Sequence, residues 1–297
     1  MNRRGALTRL AGSLAALALP RPSVAASLER AIPASGEELP AIGLGTWLTF
    51  DVTSPADRAA RGEVMREFFA GGGRLVDSSP MYGASEETIG AALPPNGKAM
   101  FSATKVWTVG ALAGRRQLEN SYRLWRLQRF DLLQVHNFLD YETHLATLKR
   151  MKAEGRTRYI GVTTSHGRRH DLAEKIMREE PIDFIQFTYN LNHREAEERL
   201  LPMAAERRIA VIINRPFDGG SLFGAKTAKP PPGWARDIDC ASWAEALLKW
   251  IVAHPAVTCA IPATSQVAHV RENIRALKGR LPDAALRKRI ADDYARA

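Results

Sequence analysis

From residue 42 onward the chain alternates short apolar runs with amphipathic stretches eight times, a pattern that few folds accept. The apolar runs are Ile42–Leu44, Leu75–Asp77, Met100–Lys105, Leu132–His136, Tyr159–Thr163, Phe184–Phe187, Ala210–Asn214 and Val257–Ile261. Strands buried on both faces have this continuous apolar character. Between them, helical periodicity predicts helices over Arg58–Ala70, Glu86–Leu93, Ala111–Leu127, Glu142–Glu154, Arg169–Glu179, Glu195–Glu206, Trp243–Ala253 and Val267–Ala276. Thr53 or Ser54 before Pro55, and Ser242 before Trp243, are helix-start signals. Eight strand–helix pairs predict an α/β chain closed into a (β/α)₈ TIM barrel rather than an open doubly wound sheet. Such a barrel takes about 250 residues, and the chain has 297.

The first 26 residues stand apart from that pattern. Arg3-Arg4 forms a positive start, Leu10–Leu19 is a weakly apolar stretch, and Val24-Ala25-Ala26 offers a cleavage site. The paired arginines resemble a twin-arginine export signal, although Ala6 stands where such signals prefer a large apolar residue. The expectation is a signal peptide over residues 1–26 and one barrel domain over 27–297, the latter folded in the cytoplasm before export, to the periplasm or beyond; an ordinary Sec signal, which passes the unfolded chain, or an uncleaved membrane anchor is the alternative. No other segment approaches 18 apolar residues, so no stable membrane insertion is expected after cleavage.

Composition excludes several other classes. The formal net charge is +10, but Arg3, Arg4, Arg9 and Arg21 contribute four of those charges, leaving +6. Without a run of Lys/Arg interleaved with aromatics, nucleic acid is not an expected partner. Cys240 and Cys259 match no zinc or redox spacing, and the apolar setting of Cys259 marks it as a small core residue. No HExxH, GxSxG or phosphate-binding loop is present, and Gly71-Gly72-Gly73 follows a helix, where it reads as a cap and turn. His166 and His170 fall in a loop and a helix start, so no metal is expected. Nothing in the chain specifies an oligomeric state.

Chemistry-bearing residues gather at the predicted C-terminal strand ends, the face that carries barrel active sites. Asp77 ends the second strand, Tyr82 follows in Pro80-Met81-Tyr82-Gly83, Lys105 ends the third and His136 the fourth. Reducing a carbonyl leaves an alkoxide that needs a proton. A phenol beside an ammonium can give one, since the positive charge lowers the phenol pKa. A carboxylate fixes the ammonium, and an imidazole can orient the carbonyl oxygen.

These residues sit in motifs that resemble the aldo/keto reductase family from about Leu39 to Ala276. The motifs are Ile42-Gly43-Leu44-Gly45-Thr46-Trp47, Val76-Asp77-Ser78-Ser79-Pro80-Met81-Tyr82-Gly83, Lys105, His136, Ile160-Gly161-Val162-Thr163-Thr164, Gln186 and Ile261-Pro262-Ala263-Thr264. The resemblance implies a tetrad of Asp77, Tyr82, Lys105 and His136, with Tyr82 as proton donor and a small carbonyl compound as substrate. It also implies NADP(H) as cofactor, with NAD(H) open. Gly45, Thr46 and Trp47 would border the nicotinamide, and Thr163, Thr164 and Gln186 would hold its carboxamide. Asn214, Arg215, Pro216 and Phe217 would line the cofactor's path, and Thr264, Gln266, His269, Glu272 and Asn273 its adenosine end.

Three features depart from the family pattern. Asn214 replaces a Tyr that stacks on the nicotinamide, so either another ring stacks there or the cofactor is held more loosely. Ala263 and His269 replace the Lys and Arg that clamp the 2′-phosphate. Only a helix, expected over Asp283–Ala297, follows Ala276 in place of a long C-terminal loop, which predicts an open pocket walled by Trp47, Trp107 and Phe138. The loop Pro216–Asp239, with Pro230-Pro231-Pro232, is long enough to act as a lid. An exported nucleotide-binding protein with little turnover is the alternative to a working reductase.

Overall fold

A computed structural model describes residues 27–296. The expected signal peptide over residues 1–26 lies outside the described residues. A short antiparallel hairpin comes first, β1 (Glu29–Ala31) paired with β2 (Glu38–Pro40). The alternation then runs β3 (Leu44–Gly45), α1 (Pro55–Ala70), β4 (Leu75–Asp77), α2 (Ser85–Ala92), β5 (Phe101–Val106), α3 (Ala111–Trp125), β6 (Phe130–Val135) and α4 (Tyr141–Ala153). It continues through β7 (Thr157–Thr163), α5 (His170–Glu179), β8 (Phe184–Thr188), α6 (Leu200–Arg207), β9 (Ala210–Asn214), α7 (Trp243–Val252), β10 (Cys259–Ala260) and α8 (Val267–Arg275), and α9 (Ala284–Arg296) ends it.

Strands β3 to β10 form one parallel sheet in chain order. Parallel bridges Ile42–Ala260 and Gly45–Ala263 join its two edges, so the sheet closes into a barrel. The Gly45 N–H donates to the Pro262 carbonyl at 3.1 Å, and a Cβ at Gly45 would stand 2.7 Å from the Ile261 carbonyl oxygen. Any larger residue would push the closing strands apart.

Period-two alternation divides the barrel interior into layers. Leu75, Phe101, Ala103, Leu132, Tyr159, Phe184, Ala210, Ile212, Cys259 and Ile261 form an apolar lower cluster. Ile32 and Leu39 of the hairpin join it, so β1 and β2 plug the N-terminal end of the barrel. Two residues further along their strands, the inward positions turn polar: Asp77, Lys105, Gln134, Gln186 and Asn214. Cys240 and Cys259 are both buried free thiols.

The helix starts follow the sequence signals. Ser54 Oγ accepts from the Asp57 N–H at 3.0 Å, and Ser242 Oγ from the Glu245 N–H at 3.3 Å. The helix expected over Glu195–Glu206 is broken into a 3₁₀ turn, Glu195–Glu197, and α6. Pro202 explains the break, because it has no N–H to bond the carbonyl four residues back. Helix α9 packs on the barrel through the buried Ile290 and Tyr294. Its Tyr294 hydroxyl donates to the Leu222 carbonyl at 3.1 Å, and Trp234 Nε1 donates to Asp293 at 2.9 Å. These bonds pin the long loop between β9 and α7. Among the described residues no helix is long and apolar enough to cross a membrane.

Candidate active site

A cleft of about 940 Å³ opens at the C-terminal ends of the strands. Its floor is a buried ion pair. Lys105, fully buried in β5, donates from Nζ to Asp77 Oδ1 at 2.5 Å and to the Ser78 carbonyl at 2.8 Å. The other Asp77 oxygen accepts from Gln134 Nε2 and Gln186 Nε2, each at 3.1 Å. Thr46 Oγ1 donates to the Asp77 carbonyl at 2.9 Å, tying β3 to β4. With three side-chain donors converging on it, the carboxylate is satisfied by protein groups. Burial opposes the Lys105 charge, but Asp77 and Tyr82 outweigh it and raise the ammonium's pKa above its ordinary value.

Tyr82 and His136 stand above this pair and line the cleft. Their rings meet edge to face at 5.7 Å, and Lys105 Nζ is 5.1 Å from the Tyr82 centroid. Gly83 holds the turn after Tyr82 at φ +59°, where a Cβ would overlap the Asp51 carboxylate. Asp51 Oδ1 in turn accepts from the Ala84 N–H at 2.8 Å. Helix α2 behind this turn is anchored by the buried Glu86, which accepts from Thr104 Oγ1 at 2.6 Å and from Ser121 Oγ and Trp125 Nε1 at 3.0 Å.

The electrostatics correct one expectation. Lys105 does pull the Tyr82 pKa down, but burial acts more strongly and Asp77 adds to it, so the phenol stays above its ordinary value. Tyr82 is therefore a protonated phenol at neutral pH. Burial, and then the Lys105 charge, push His136 down to about 2, so its imidazole is neutral.

Gly45, Thr46, Trp47, Thr163, Thr164, Gln186, Asn214, Arg215, Pro216, Phe217, Thr264, His269, Glu272 and Asn273 line the same cleft. Gln266 lies outside the lining, as the exposed cap of α8. Asn214 is held by three bonds: Thr188 Oγ1 donates to it at 2.6 Å, and it donates to the Thr164 carbonyl at 2.8 Å and to Gln186 Oε1 at 3.3 Å. It caps the polar layer rather than offering a stacking face. Of the three expected wall residues only Trp47 lines the cleft. Trp107 is 41% exposed away from it, and Phe138 is buried with the Arg169 guanidinium 5.4 Å from its ring centroid. The loop after β9 adds Phe223, Lys229, Pro230 and Pro231 to the lining.

Sequence reasoning missed Gln134, Ser79, whose Oγ lies 2.9 Å from His136 Nδ1, and Arg168, which lines the cleft. Gln134 could have been found, since it lies two residues before His136 and so shares its inward face. Ser79 and Arg168 carried no periodic signal.

A model of the aldo/keto reductase family matches residues 41–289, and the chain belongs to that family. Among curated relatives, the aldo-keto reductase YhdN of Bacillus subtilis is 31% identical over 211 residues, 65% of this chain and 63% of that protein. The match thus spans under two thirds of that relative's length. The NADH-specific methylglyoxal reductase of Escherichia coli is 28% identical over 303 residues, covering 82% of this chain and 91% of that one. An aldo/keto reductase from Klebsiella pneumoniae, solved with NADP and acetate, shares the fold with a TM-score of 0.74 at 24% identity, covering 87% of this chain and 93% of that one.

Proposed function

We propose that this protein reduces aldehyde or ketone carbonyls to alcohols, with NADPH as hydride donor and Tyr82 as proton donor. The observation that carries this reading is a protonated phenol and a neutral imidazole side by side in a cleft, over a buried Lys105–Asp77 pair. The cleft also fits a dinucleotide. Thr163, Thr164, Gln186 and Asn214 offer amide and hydroxyl partners at one part of it, and Thr264, His269 and Asn273 at another. Arg215, paired with Asp218 at 3.2 Å, places a guanidinium on the cleft wall. Bound NADPH would supply the hydride.

The protein's own residues do the rest. His136 donates to the carbonyl oxygen and orients it, and Tyr82 gives that oxygen its proton. Lys105, fixed by Asp77, stabilises the phenolate left behind. Such a general acid is worth ~10²–10⁴-fold. No observation in the site favours the alternative of a nucleotide-holding protein without turnover.

Similar proteins use either cofactor, so the choice rests on this chain's residues. Thr264 Oγ1 accepts from the Gln266 N–H at 3.1 Å and lies 3.4 Å from His269 Nδ1. With His269 lining this end in place of an arginine, the reading is a modest preference for NADPH over NADH. The arginine pair at the N-terminus supports export of the folded protein to the periplasm. Mixing purified protein with NADPH and a panel of aldehydes, and following NADPH absorbance, tests the activity. Consumption that depends on the aldehyde supports the reading, and none with any aldehyde or with NADH contradicts it.

A further inference from the structure

We propose that Ser79 fixes the tautomer of His136, leaving the ring proton on Nε2, the edge open to the cleft. Protons and acceptors around Ser79 Oγ balance in one way only. Ser79 is fully buried between β4 and the Tyr82 turn, and its Oγ lies 2.9 Å from His136 Nδ1. The same Oγ accepts from the Met81 N–H at 3.3 Å. A hydroxyl has one proton to give. Among the described residues its one available acceptor is Nδ1, so the hydroxyl donates there and Nδ1 is bare. Were the proton on Nδ1 instead, Oγ would receive two donors and its own buried proton would have no partner. That arrangement is costly for a fully buried hydroxyl.

A neutral imidazole has a single N–H, and the partner of one nitrogen decides which nitrogen carries it. Burial and the Lys105 charge keep His136 neutral, so a second proton does not remove the choice. With Nδ1 occupied, Nε2 carries the proton. That nitrogen has no protein partner among the described residues and is not sealed from the cleft that His136 lines. Ser79 is thus a positioning residue. It touches neither substrate nor cofactor, and it makes the imidazole a donor rather than an acceptor toward the carbonyl oxygen. The tautomer follows from the geometry, while its effect on rate rests on the reductase reading.

Two measurements test this separately. Nitrogen–proton NMR of the isotope-labelled protein reads the state of both ring nitrogens, with the His136 signals assigned by their loss in His136→Gln. Protonated Nε2 and bare Nδ1 are expected; a proton on Nδ1, or a mixture, overturns the proposal without needing a Ser79 variant. In Ser79→Ala the tautomers should mix and kcat should fall on the order of 10²-fold, the size of a lost oxygen-stabilising donor. The Kd for NADPH should be unchanged, and Ser79→Thr should restore both the single tautomer and the rate. A Ser79→Ala protein with parental kcat and Nε2–H alone contradicts the role. An inactive parent that shows Nε2–H upholds the tautomer and ends the reductase reading; an active parent with Nδ1–H does the reverse.

Discussion

Lys105 Nζ and Asp77 Oδ1 meet at 2.5 Å with side chains 0% and 2% exposed, a charge pair taken wholly out of water. Breaking such a pair from one side leaves an uncompensated buried charge and typically costs ~3–5 kcal/mol. Lys105→Met should therefore lower unfolding free energy by about that amount as well as abolish turnover. The double variant Lys105→Met, Asp77→Leu should stay inactive yet be more stable than Lys105→Met alone. Urea unfolding of both variants checks this, and a Lys105→Met protein as stable as the parent would contradict it.

The pH profile of reduction follows from two shifts. His136 is pushed down to about 2, so it stays neutral throughout the working range. Tyr82 is raised, so it remains an acid up to and beyond the usual phenol range near pH ~10. At saturating NADPH, kcat for reduction should be flat from about pH 6 to 9, with no step near the ordinary His value of about 6.5. Stability behaves differently. Below about pH 6.5 the unfolded chain protonates the imidazole that the folded chain keeps neutral, so His136 makes stability fall as pH falls. A step in kcat near pH ~6.5 that vanishes in His136→Gln would refute the assignment.

The strands, and the strand ends at which Asp77, Lys105 and His136 gather, were legible because they depend on local pattern. Continuous apolar runs marked β4 to β9 within two residues at each end, and Asp77, Lys105 and His136 fell at strand ends where a barrel puts its chemistry. The hairpin β1–β2 was not legible. Its strands are three residues each, and Glu29-Arg30-Ala31 has no apolar run; only Ile32 and Leu39 enter the barrel. Partners across the barrel were equally hidden. Gln134 meets Asp77 from 57 positions away and Ser79 meets His136 from 57, distances over which sequence carries no pairing signal. Trp107 and Phe138 were misplaced because aromatic identity does not tell cleft from surface or core.

Cofactor choice should respond to position 269. Arginine there adds a permanent charge and a bidentate donor fork for a 2′-phosphate. His269→Arg should strengthen the preference for NADPH over NADH by about tenfold, the worth of ~1.4 kcal/mol. Fluorescence quenching gives each Kd, and an unchanged NADPH-to-NADH ratio would contradict this assignment of the adenosine end.

Export should depend on guanidinium groups rather than charge. Arg3→Lys with Arg4→Lys keeps both charges, yet it should leave the folded protein in the cytoplasm. Fractionation of cells making the variant decides it. Normal periplasmic accumulation would point to the unfolded-chain route.

Tyr82→Phe decides the identity of the proton donor. The substitution removes one hydroxyl and keeps the ring against His136. Nucleotide Kd and turnover of an aldehyde should be measured on the same preparation. The expected result is an NADPH Kd close to that of the parent and a kcat lower by ~10²–10⁴-fold. A Tyr82→Phe protein that binds NADPH normally and reduces the aldehyde as fast as the parent would contradict it.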